Sequence, residues 1–170
     1  MKTKRMTTDS MLAAMCAVLG AISIDMGNIK ITLESIPIIL GALLFGPADG
    51  ATIGFIGAFV YQILRYGLSV TTLLWILPYV VCGIIVGAYS KRRNYALSRT
   101  QTILIVIVAE FVVTTLNTGV LFVDSKIYGY YSAVYIFGSL AVRYIICIIK
   151  ATLTGMIMPP LTGFLKRVLC

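Results

Sequence analysis

The chain has 170 residues, of which 59% are hydrophobic and 12% charged, with 14 Lys and Arg against 6 Asp and Glu. A soluble domain is about 45–50% apolar and about 25% charged, so a mean hydropathy of +0.99 excludes an ordinary soluble globule. One integral membrane domain spanning residues 1–170 is expected, with room for at most six or seven crossings at about 20 residues each.

The first apolar run, Ser10 to Ile24, reads as a retained helix whose start near Thr7 or Thr8 offers capping hydroxyls. A polar interval from Asp25 to Glu34 follows, and the alternation Lys30-Ile31-Thr32-Leu33-Glu34 fits a short strand or extended loop. Ser35 to Phe45 is apolar but short, and Gly46-Pro47 breaks it before a third helix over Asp49 to Leu64. The fourth run is Leu68 to Ser90 and the fifth Thr100 to Val123, with Glu110 near its middle. A tyrosine-rich stretch, Asp124 to Tyr131, precedes the sixth run, Ser132 to Met158, which ends at Pro159-Pro160.

The bases are sorted along this pattern. Lys2, Lys4 and Arg5, then Lys91, Arg92, Arg93 and Arg99, then Lys166 and Arg167 fall in three segments that an even number of crossings puts on one side. The positive-inside rule makes that side the cytoplasm. The expected fold is therefore an all-α membrane protein of the cell membrane, with six transmembrane helices and both termini cytoplasmic.

Several chemistries are disfavoured by type. The chain has no histidine, and its cysteines, Cys16, Cys82, Cys147 and Cys170, form no CxxC pair, so neither a zinc site nor a metalloprotease helix is expected. The glycine-rich Gly41 to Gly46 is followed by Pro47 where a P-loop needs Lys. Neither an enzyme nor a cofactor protein is indicated, and without a basic face interleaved with aromatics, nucleic acid is not an expected partner.

Three features remain as candidates. Ala13, Ala17 and Ala21 recur at helical spacing, a flat stripe for either internal packing or docking of another membrane subunit. Glu110, Arg143 and Lys150 lie inside apolar helices, where an unpaired charge costs about 2.5–3.5 kcal/mol, so Glu110 is expected to pair with Arg143 or Lys150. Tyr61, Gln62, Arg65 and Tyr66, then Trp75, then Tyr128, Tyr130, Tyr131 and Tyr135 gather at the expected external ends. They form either an interfacial belt or a pocket open to the outside, in which Lys30, Arg65 and Lys126 would meet carboxylates.

Residues 29–54, including the turn Phe45-Gly46-Pro47-Ala48-Asp49-Gly50, resemble the S components of energy-coupling factor vitamin transporters. The resemblance extends to the Ala-stripe first helix, the polar first loop and the basic loop before the fifth helix. Gln62-Ile63-Leu64-Arg65-Tyr66-Gly67, the run Thr71 to Pro78 around Trp75, and Leu116-Asn117-Thr118-Gly119 are most similar to the folate-specific group. The resemblance implies a six-helix bundle that binds a vitamin outside and docks through Ala13, Ala17 and Ala21 onto a transmembrane coupling subunit driven by two ATP-binding subunits. It further implies a pterin stacked by tyrosines or Trp75 and met by Asp25 or Glu34. Lys30, Arg65 or Lys126 would hold the glutamate carboxylates, and Asn117, Tyr131, Tyr135 and Arg143 complete the expected site. Riboflavin, biotin, thiamine or pantothenate binding, or a non-transporting scaffold role, are the alternatives.

Overall fold

A computed structural model describes residues 2–26 and 29–169. In chain order the elements are α1 (Lys2–Ala21), β1 (Ile24–Met26), β2 (Ile29–Ile31), α2 (Ser35–Phe45), α3 (Pro47–Tyr66), α4 (Thr72–Arg92), α5 (Arg99–Ile127), α6 (Ala133–Phe137) and α7 (Leu140–Leu169). The polar interval folds as an antiparallel ribbon pairing Ile24 with Ile31, Asp25 with Lys30 and Met26 with Ile29. It therefore lies earlier than the expected 30–34 segment, because Thr32 and Glu34 are drawn into the buried interior.

Three segments, Thr72–Arg92, Arg99–Ile127 and Ala133–Arg167, are long and apolar enough to cross a membrane. Helices α1 and α3 are 20 residues each, about 30 Å long, but their charged and polar residues keep them out of that set. The sixth expected helix is broken. Ser132 caps the five-residue α6 by accepting from the Tyr135 N–H, and the chain turns at Gly138 before α7 begins. The expected stop at Pro159-Pro160 does not occur, and α7 runs through both prolines to Leu169. Flanking helices and side chains in a bilayer sustain such a helix where water would not.

Helices α3 and α4 make the most extensive contact in the fold. A Cβ on Gly83 would lie 2.3 Å from the backbone C and O of Gly50, so only hydrogen at both positions permits this crossing. Without a hydrophobic drive between helices in lipid, such close backbone approach is what packing relies on. The short α2 sits inside the fold, and Ile38, Ile39 and Ala42 are fully buried with Cys82, Val86, Val106 and Ala109. Gly46, at φ 105°, supplies the left-handed turn from α2 into Pro47.

One end of the bundle is tied by cations. Arg5 donates to the Phe45 carbonyl at 3.0 Å and forms an ion pair with Asp49, while Lys166 donates to the Tyr95 carbonyl. The chain's beginning, the α2–α3 turn, the α4–α5 loop and the end of α7 thus meet at one end of the bundle. The α5 start carries a capping box, in which Ser98 Oγ accepts from the Gln101 N–H and Gln101 answers to the Ser98 N–H. Ser98→Ala is expected to lower stability by about 1 kcal/mol, measured by thermal unfolding in detergent micelles. An unchanged midpoint would show the box to be idle.

Candidate functional site

At the end opposite the cationic ties lies a cavity of about 400 Å³. Its walls come from the ribbon and the Thr32 turn, from α3, the α3–α4 connection and α4, from α5, the α5–α6 segment and α7. That volume is within the range of pockets that enclose a drug-sized molecule.

The aromatic side is built by helical spacing. Tyr61 is 2% exposed, and its hydroxyl donates to Tyr66 at 3.4 Å while the two rings meet edge to face. Trp75 stands on the first turns of α4 and Tyr79 one turn deeper, so both rings face the cavity. Tyr130 and Tyr135 close the outer rim, again edge to face with centroids 6.3 Å apart.

A further wall is α7, where Arg143, Cys147 and Lys150 recur at helical spacing and all line the cavity. Arg143 donates through Nε to Ser139 Oγ at 3.2 Å. At the floor, Lys150 Nζ lies 3.0 Å from Glu110 Oε2, and Ser35 Oγ donates to Glu110 Oε1 at 2.6 Å. Of the two bases available to Glu110, the fold selects Lys150. Two further acids are held by neutral donors. Tyr79 and Thr32 both donate to Glu34 Oε1, and Trp75 Nε1 donates to Asp124 Oδ1 at 3.2 Å with the Tyr130 hydroxyl on Oδ2. Burial and then the Asp124 carboxylate push the Tyr130 phenol above its ordinary value. Asn117 Oδ1 is buried without a hydrogen-bond partner among the described residues, an acceptor at the cavity wall.

Of the residues expected from sequence, Tyr61, Gln62, Trp75, Asn117, Tyr135 and Arg143 line the cavity. Glu34 lies behind the wall, fully buried, with its carboxylate orienting Tyr79 and Thr32, which do line it. Arg65 is exposed on the last turn of α3 and does not line the cavity. Lys126 is turned away, its Nζ 4.0 Å above the Tyr131 ring, and Tyr131 packs edge-on against Phe122. Asp25 and Lys30 face each other across the ribbon, but their side chains lie outside the described residues. The sequence reading leaves out Thr32, Tyr79 and Asp124 from this set, and assigns Lys150 only a pairing role.

The alanine stripe divides. Ala13 and Ala17 are buried, and the backbone of Ala13 approaches Gly57 of α3 so closely that a Cβ on Gly57 would lie 3.0 Å from its carbonyl. Internal packing thus takes two of the three positions, and Ala21 alone is exposed. The open face of α1 carries Met11, Met15 and Val18 instead, with Ile22 exposed just beyond its end.

No curated protein matches the chain. The family model described as ECF transporter, substrate-specific component, matches residues 4–167, nearly the whole sequence. With an all-helical core, three segments apolar enough to cross a membrane, and a family match of that extent, the chain belongs to the substrate-specific components of ECF transporters, membrane transport subunits that work with an energy-coupling module.

Proposed function

We propose that this S component captures folate from outside the cell and delivers it inward in complex with a transmembrane coupling subunit and two ATP-binding subunits. The observation that carries the reading is the cavity's division into an aromatic side and a cationic wall. A flat pterin fits between the rings of Tyr61, Trp75, Tyr79 and Tyr135, with Gln62 and the unpartnered Asn117 Oδ1 serving its polar edge. Arg143, at the α7 wall, is the cation for a glutamate carboxylate, because a guanidinium holds carboxylates in a fixed fork. Arg65 and Lys126, outside the cavity, act as long-range attraction for an anion rather than as contacts. In this reading both termini and the cationic end face the cytoplasm, and six crossings leave the cavity open outward. The coupling subunit docks on the open face of α1, where Ala21 stands beside Val18 and Ile22.

A thermal-shift panel on the purified protein tests the ligand. Folate at about 100 times its dissociation constant adds about 2.7 kcal/mol of apparent stability, and riboflavin, biotin, thiamine and pantothenate add none. A shift with one of the others instead reassigns the vitamin, and no shift with any favours a scaffold. In radioligand binding, Arg143→Ala is expected to weaken folate by about 10–100-fold, the worth of a hydrogen bond to a charged group, and Arg65→Ala by much less. Equal losses would move the carboxylate site to the rim.

A further inference from the structure

Asp124 is the acid in the cavity lining that is closest to an obvious ligand contact, yet its geometry gives it another task. It is 8% exposed and stands on the last turns of α5. One carboxylate oxygen accepts from the indole N–H of Trp75 on α4, and the other from the hydroxyl of Tyr130 in the α5–α6 segment. All three residues line the cavity, and both oxygens of the acid are taken by its neighbours rather than left facing inward. A charged acceptor strengthens each bond relative to a neutral one. The acid thus joins two otherwise separate pieces of the aromatic wall: the start of α4 and a segment that is itself half exposed, with Tyr130 at 43%.

We propose that Asp124 is a positioning residue for the binding site, a strut that fixes the Trp75 indole and the Tyr130 ring as one wall and touches no ligand itself. The inference rests on the cavity being the binding site, but its first consequence concerns the empty protein. With the strut intact, the indole is held in one orientation and shielded. With it removed, both rings gain freedom and the wall opens toward water, so a bound molecule leaves faster whatever its own polar groups are.

The chain's single tryptophan makes this measurable without a ligand. Purified full-length protein in nanodiscs is compared with Asp124→Asn, Asp124→Leu and Tyr130→Phe by Trp75 emission and acrylamide quenching. Asp124→Leu is expected to shift the emission and raise the quenching constant, Tyr130→Phe to do so partly, and Asp124→Asn, which can still accept from the indole and donate to the phenol oxygen, least of all. Release of folate, followed by radioligand chase, is expected to quicken about tenfold in Asp124→Leu, the equivalent of about 1.4 kcal/mol. The same factor is expected for pteroic acid, which lacks the glutamate, and for folate analogues lacking the 2-amino group. An unchanged ligand-free quenching constant in Asp124→Leu overturns the strut. A loss confined to ligands that carry the amino group also overturns it, and makes Asp124 a direct contact. Should Asp124→Leu fail to fold, Tyr130→Phe removes one of the two bonds without changing the packing volume, and unchanged quenching there overturns the proposal equally. Absence of any folate binding in the unmodified protein would refute the folate reading while leaving the quenching result to stand or fall on its own.

Discussion

Replacing Lys150 by methionine is expected to cost about 3–5 kcal/mol of stability, as breaking a buried ion pair from one side does. The reason is what it leaves behind. Glu110 is 1% exposed, and once its ammonium partner at 3.0 Å is gone, the Ser35 hydroxyl is the one hydrogen-bond donor left to it among the described residues. Desolvating a carboxylate is far more costly than losing one contact, so the carboxyl must protonate or the helices must part. The double variant Lys150→Met with Glu110→Gln removes both charges and is expected to recover most of the loss, since a neutral pair of similar volume is often as stable as a buried ion pair. Chemical unfolding of the four proteins of that cycle in nanodiscs measures the coupling. Strict additivity of the two single changes would show that the ion pair holds nothing together.

The second large effect is steric. Gly83→Ala places a methyl 2.3 Å from the backbone of Gly50. The obstacle is main chain on the facing helix, not the tip of a side chain that could swing aside, so α3 and α4 must separate. Overpacking of this kind costs about 1–3 kcal/mol and occasionally more; here the upper end is expected, because the α3–α4 contact is the most extensive in the fold. Gly119→Ala is the matched control. No atom lies within 4 Å of its added methyl, and a helical alanine is worth up to about 1 kcal/mol over glycine, so it should be neutral or stabilising. Equal thermal midpoints for the two variants would contradict the close crossing.

How far the sequence reveals this site depends on what sets each position. Apolar runs and breakers mark the helices well: Ser35 to Phe45 ends where Gly46-Pro47 must end it. Buried charge is also legible, because a lone Glu110 in an apolar run demands a partner. Which base answers it is decided by helix crossing and depth, and the choice of Lys150 over Arg143 needs the three-dimensional fold. Facing is the least legible property. Asp124 and Lys126 are two residues apart on α5, and two residues turn a helix by about 200°, so one acid enters the cavity while the neighbouring cation lies on the outer rings. Nothing in a tyrosine-rich, mixed-charge stretch states which of the two points inward. Tyr79 is hidden for a related reason, standing in a run where every neighbour is apolar and any face could be the buried one. The alanine stripe shows the same ambiguity from the other side: small residues at helical spacing let a helix come close, and here the helix that comes close to Ala13 is α3 of the same chain.

The burial of α2 has a consequence for how the protein is made. Eleven residues reach about 17 Å, roughly half the hydrocarbon thickness, and eight of the eleven are buried by the rest of the chain. Such a segment cannot be left in the bilayer as an independent span, because its ends would strand backbone groups in lipid. Its place must be prepared by α1, α3, α4 and α7, so membrane insertion and tertiary assembly become one event for this part of the chain. A defect in α2 is then a defect in biogenesis, visible as degraded or trapped chain rather than as a poorly binding protein.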